Sequence, residues 1–183
     1  MKNSRRFWFF IAVAIFQLAA PLYVAWHWEN VLTTGQRFFW TTAPLDPYDP
    51  FQGRYIDLQF TPTAGPVLTP EKFTYGQTAY AIIGQDSEGR AVIRGISSRP
   101  PTITNYVKVK INYVDNGIAN VQLPFTRYYL PEEAAPAAES AYRENVGSKA
   151  VAAVRIKDGY AVVEELFIDG QPLADYLRQN LSK

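Results

Sequence analysis

From Phe7 to Trp28 the chain runs FWFFIAVAIFQLAAPLYVAWHW, with no Lys, Arg, Asp or Glu and only Gln17 and His27 as polar side chains. A soluble helix shows a polar face, and this stretch has none. About 22 helical residues reach roughly 33 Å, enough to cross a bilayer core of roughly 30 Å. Lys2, Arg5 and Arg6 precede the stretch and Glu29 follows it. That asymmetry predicts a single pass of the cytoplasmic (inner) membrane. The N-terminus lies inside and everything after Trp28 outside, in the periplasm or at the cell exterior. Trp8 stands at one edge and Tyr23, Trp26 and Trp28 at the other, as interfacial aromatics do. A cleaved signal peptide is the alternative. Leu18-Ala19-Ala20 offers a small-residue site, but Pro21 follows it directly and the apolar run continues beyond.

After residue 28 the pattern changes from continuous to alternating. Gln36–Thr42 puts Phe38 and Trp40 on one face. Arg54–Thr61 sets Ile56, Leu58 and Phe60 against Tyr55, Asp57 and Gln59, the period-two signature of a half-buried strand. Thr78–Gly84 and Arg90–Ser97 flank the loop Asp86-Ser87-Glu88-Gly89. Asn105–Tyr113 alternates Val107, Val109 and Ile111 with polar residues. Asp115-Asn116-Gly117 then signals a tight hairpin into Ile118–Phe125. Ala150–Ile156 and Tyr160–Ile168 form a further hairpin around Asp158-Gly159. Two stretches read as helices: Pro131–Asn145, with a break expected at Pro136, and Pro172–Leu181, with Leu173, Leu177 and Leu181 at helical spacing. Thr61–Thr74, rich in Pro and Gly, reads as a loop. The expected architecture is one N-terminal transmembrane helix followed by a mainly-β (α+β) extracytoplasmic domain of antiparallel hairpins with two short helices. Its parts are a tip and anchor over residues 1–28 and a β-rich domain over 29–183.

Charge and composition narrow the chemistry. The chain has 183 residues, 18 basic against 17 acidic. Without Lys2, Arg5 and Arg6, 15 basic residues face the 17 acidic ones, about −2 for the outer domain. No basic patch for nucleic acid follows from that balance. There is no cysteine and one histidine, which excludes thiolate sites, cysteine nucleophiles and multi-His zinc. His27 lies between tryptophans at the membrane edge, out of reach of a serine triad. A membrane-tethered Ser–Lys peptidase needs a serine soon after its anchor, and none occurs between Ser4 and Ser87. No cofactor is expected. Asp46, Asp49, Glu132 and Glu133 have the oxygen chemistry of a calcium site without EF-hand spacing. Tyr106, Tyr113, Tyr128, Tyr129 and Tyr142 suit either a stacking surface or cross-strand pairs.

Residues 44–60, PLDPYDPFQGRYIDLQF, carry Pro44, Asp46, Pro47, Asp49, Phe51, Gly53, Tyr55 and Leu58 in a spacing that resembles the signature of the GDYxxLxY family. Arg54 stands where the family has an aspartate. Arg127-Tyr128-Tyr129-Leu130-Pro131-Glu132 is similar to a second family segment, Glu139 falls where a glutamate is expected, and Ile168-Asp169-Gly170 resembles the last strand. The resemblance implies membrane-anchored bacterial proteins with a short β-rich domain and no established activity. Members are often encoded beside multi-pass membrane proteins, which implies a polytopic partner in the same bilayer. From the residues themselves, Asp-Pro, Asp-Pro and Gly form a rigid corner feeding a strand. The candidate binding surface comprises Asp46, Asp49, Gly53, Arg54, Tyr55, Asp57, Arg127, Tyr128, Glu132 and Glu139. Two functions fit: a membrane-anchored binding or assembly module, and a carboxylate-dependent envelope hydrolase of unnamed substrate.

Overall fold

A computed structural model describes residues 2–43, 55–68, 72–147 and 149–181. An N-terminal helix, α1, spans Lys2–Thr34. It continues six residues past Trp28, and its stretch from Arg6 is long and apolar enough to cross a membrane. Pro21 sits inside it. Beyond it the protein is mostly antiparallel sheet with two further short α-helices.

The strands are β1 (Gln36–Ala43), β2 (Tyr55–Asp57), β3 (Gln59–Thr61), β4 (Ala64–Pro66), β5 (Thr78–Gln85), β6 (Ala91–Ser97), β7 (Tyr106–Asp115), β8 (Ile118–Gln122), β9 (Arg127–Tyr129), β10 (Ala150–Lys157), β11 (Tyr160–Ile168) and β12 (Gln171–Pro172). One five-stranded sheet has the order β12-β11-β10-β1-β3, a second β4-β8-β7-β5-β6, and β2 with β9 forms a separate ribbon. Phe38, Trp40, Val107, Val109, Ile111, Val154 and Ile156 project from these sheets into one shared core. Trp40 is completely buried and packs edge-on against Phe60 and Phe125, at ring-centroid distances of 6.1 and 5.5 Å.

The second sheet curls until its edges meet. Val67, just past β4, bridges to Ile96 of β6, and Leu68 N–H donates to the Ile96 carbonyl at 3.0 Å. This closure overturns the expectation of a loop over Thr61–Thr74. The Pro- and Gly-rich stretch supplies an edge strand, where proline is tolerated. Gly65 is required there, because a Cβ would lie 2.4 Å from Cγ2 of Ile93. Gly65→Ala is therefore expected to destabilise the domain by about 1–3 kcal/mol through overpacking. Chemical denaturation measures this, and an unchanged midpoint would show that the closure is slack.

Two other expectations are corrected. The segment ending at Thr61 is not one strand. It divides at Leu58, whose N–H bonds the Thr126 carbonyl at 2.7 Å, as the chain passes from the ribbon to the first sheet. Ile56, Leu58 and Phe60 are nonetheless all buried. Nor does Pro136 break a helix. A 3-10 turn, Glu132–Ala134, leads into α2 (Ala135–Asn145), with Pro136 in the first turn, where its missing N–H would be unsatisfied anyway. The third helix, α3 (Leu173–Leu181), buries Leu173 against the core. At the β7–β8 hairpin, Asn116 and Gly117 have φ of 48° and 79°, the left-handed pair that a two-residue turn demands.

The last turns of α1 are docked onto the β10–β11 hairpin. Val31 is buried, and the His27 ring meets Tyr160 edge-on at 4.4 Å. Lys157 Nζ donates to Thr34 Oγ1 at 2.7 Å and to Asn30 Oδ1 at 3.4 Å.

Candidate functional site

The β2–β9 ribbon pairs Tyr55 with Tyr129, Ile56 with Tyr128 and Asp57 with Arg127. Alternation turns Ile56 and Tyr128 inward and leaves Tyr55, Asp57, Arg127 and Tyr129 on the other face. Arg127 organises that face. Its guanidinium carbon lies 4.5 Å from the Tyr55 ring centroid, and its Nε is 3.7 Å from Asp57 Oδ1. The Tyr55 and Tyr129 rings are 5.7 Å apart, and Tyr129 is largely exposed. A hydrogen bond to Tyr129, then the charge interaction with Tyr55, raises the Arg127 pKa above its ordinary value. The cluster is a fixed cation between two phenol rings and a carboxylate, which is recognition chemistry.

The remaining candidate residues are placed differently. Tyr128 does not join the outer surface: it is half-buried and donates from its hydroxyl to Glu165 Oε1 at 2.9 Å. Burial, then Glu165, pushes its pKa well above the ordinary 10.0. Glu139 lies on α2 and pairs with Arg143 one turn on, at 2.7 Å. Glu132 opens the 3-10 turn, and its side chain falls outside the described part. Asp46, Asp49, Gly53 and Arg54, with the corner expected of them, lie outside the described residues. Among the described residues no three His, Asp or Glu side chains cluster closely enough to hold a metal ion. The five tyrosines do not make one stacking surface. Tyr142 is buried in the core, Tyr106 packs on Tyr80, and Tyr113 and Tyr129 are exposed on different strands.

Because Tyr128 is held neutral in the fold, the unfolded chain loses that proton first as pH rises past 10. Stability is full below the ordinary pKa and is lost above it. Tyr142 and Tyr106, also raised chiefly by burial, act in the same direction. Tyr128→Phe is expected to cost about 1 kcal/mol at pH 7, from the lost bond to Glu165, and to flatten the decline above pH 10. Urea titrations at both pH values check this. Equal slopes for the two proteins would remove Tyr128 as a contributor.

Sequence reasoning missed a second charged cluster. Glu164 Oε2 lies 2.8 Å from Arg37 Nε, and Arg155 grips the same carboxylate with two nitrogens at 2.9 Å each. The strand alternation of β11 breaks here. Ala153 pairs with Glu165 and Val154 with Val163, so Glu164 is the extra residue of a bulge. The bulge resets the pattern and returns Leu166 and Ile168 to the core. A lone arginine in the apolar run AVAAVRIK and the doubled Glu in VVEEL were the available signals.

A family model described as GDYXXLXY protein matches residues 17–166. No curated protein and no solved structure matches the chain. The matched span takes in the second half of the apolar helix, the ribbon, the whole second sheet, α2 and nearly all of the first sheet, and on that extent the chain belongs to the GDYXXLXY family.

Proposed function

We propose that this protein is a membrane-anchored extracytoplasmic module that binds or assembles with a polytopic membrane protein. The observation that carries the reading is the β2–β9 ribbon. It pairs separately from both five-stranded sheets and presents Tyr55, Arg127 and Tyr129 outward, and its first strand lies within the segment that carries the family signature. Tyr and Arg are frequent anchor residues at interfaces. The helix supports the other half of the reading. Its basic tip and uncharged apolar length favour insertion with residues 29–183 outside, and Pro21 behind the one small-residue site favours retention of the anchor. Tethering in the plane of the bilayer raises effective concentration towards a neighbour without any new contact.

Tyr55→Ala combined with Arg127→Ala is expected to abolish co-purification of the membrane partner from native membranes. Circular dichroism should stay unchanged, since exposed pairs of this kind contribute little to folding. Turnover of a substrate by the purified protein, lost in Asp57→Asn, would replace the module with carboxylate catalysis. A cytoplasm-dependent reporter fused after Lys183 should be silent, and activity there would reverse the orientation.

A further inference from the structure

On the face of the first sheet that carries Arg37, a groove of about 300 Å³ opens between β1, β10 and the β11–β12 turn. Its floor is Phe39, Val151 and Phe167, with the two aromatic rings 6.0 Å apart, edge to face. Its rim holds Arg90, Lys149 and Asp169. Arg37 closes one end, its guanidinium carbon 5.2 Å from the Phe39 centroid and 5.6 Å from that of Phe167. None of these residues belongs to the ribbon.

The charges decide what the groove suits. Glu164 is committed to Arg37 and Arg155. Asp169 pairs with Lys149 at 3.3 Å, both largely exposed, so a competing carboxylate displaces that pair at little cost. Among the described residues the Arg90 side chain has no ion-pair partner. The face thus carries Arg37, Arg90, Lys149 and Arg155 against Glu164, Asp169 and Glu165, the last of which accepts from the Tyr128 hydroxyl, on a domain whose net charge is about −2. An isolated basic patch above an apolar floor matches a ligand with acidic groups flanking an apolar one. The groove is open, and its volume is at the lower end for a small-molecule site. It therefore suits a segment crossing it better than a molecule enclosed within it. Lys149 is eight residues along the chain from Lys157, which touches α1. That is roughly 26 Å of strand, far from the helix end where lipid headgroups would lie.

We propose that this groove binds an extended acidic peptide segment of a partner protein, seating an apolar side chain on Phe39, Val151 and Phe167 and carboxylates on Arg90 and Lys149. The site is separate from the ribbon, and only the exclusion of lipid headgroups rests on the anchor reading.

The test uses the full-length chain in nanodiscs of zwitterionic lipid, with fluorescence anisotropy of labelled nonapeptides centred on Asp-Glu-Phe-Glu-Asp. Two control peptides replace the acids by lysine or the phenylalanine by serine. The acidic–aromatic peptide is expected to bind at least tenfold tighter than either control, and more weakly as salt rises. Arg90→Gln with Lys149→Gln should weaken it at least tenfold with unchanged circular dichroism, while Tyr129→Ala leaves it alone. The proposal is overturned if the controls bind equally, or if the double variant binds as well as the parent. It is also overturned if no peptide binds at millimolar concentration, whether or not phosphatidylglycerol vesicles are captured through the same residues.

Discussion

Trp40→Ala should remove about 3–5 kcal/mol of stability, the range for deleting a fully buried aromatic. That is a large share of the 5–15 kcal/mol typical of a whole domain. For a domain of this size it lowers the midpoint by roughly 10–15 °C. The side chain has no exposed surface and joins Phe60 of β3 to Phe125 before β9, so its loss opens a void where the two sheets and the ribbon converge. Trp40→Phe should behave very differently. The indole N–H is buried without a hydrogen-bond partner among the described residues. Phenylalanine removes that orphaned donor, a gain of about 1–3 kcal/mol, which offsets much of the lost volume. Differential scanning calorimetry of both variants separates the contributions. A Trp40→Phe protein as unstable as Trp40→Ala would mean that the N–H is satisfied after all.

The second large effect is expected at Glu164. Glu164→Lys removes the carboxylate between Arg37 and Arg155 and sets a third cation in its place. The site is only partly shielded, with side-chain exposures of 24–37%, so the cost is less than for a buried charge, about 2–3 kcal/mol. Added sodium chloride should recover part of it by screening the repulsion. Glu164→Gln keeps the shape and should cost about half as much. Arg155 also donates to the Gly35 carbonyl at 3.1 Å, so the reversal should loosen the start of β1 as well. Denaturation midpoints within 0.5 kcal/mol of the parent, at low salt, would show the cluster to be energetically idle.

These two sites differ in how far the sequence disclosed them. Phe38 and Trp40 stand two apart in a strand pattern, and period-two reading placed both in the core. The same logic found Ile56, Leu58 and Phe60, the Val107–Ile111 face and the two tight hairpins, because those features are local. Glu164 was not legible, because a bulge is set by the partner strand's register. Nothing in VVEEL states which strand lies opposite. β4 was hidden for a related reason: Ala64-Gly65-Pro66 has poor strand propensity, and its pairing with β8 is tertiary. At the candidate site, Tyr55 and Asp57 were assigned to the exposed face and stand there. Their meeting with Arg127 needed the pairing of segments seventy residues apart, which turn chemistry cannot reveal. Tyr128 was named for its neighbourhood, yet strand alternation sends it inward to Glu165.

The docking of α1 on the β10–β11 hairpin has a mechanical side. Val31, His27 and Lys157 leave no slack link between the helix and the sheet, since β1 starts two residues after α1 ends. With α1 embedded in the bilayer as proposed, helix and sheet would turn as one lever with its fulcrum at the bilayer surface. Membrane helices adopt tilts across tens of degrees, set by bilayer thickness and by their neighbours. At the far end of β10, roughly 26 Å from Lys157 along the strand, a tilt of about 10° would sweep the Lys149 end of the groove sideways by roughly 4–5 Å, and the Arg90 side, bridged to Phe39, by about half of that. The larger displacement is comparable to the spacing between adjacent strands. A neighbour that reorients the helix within the lipid would thereby re-aim the outer face without touching it.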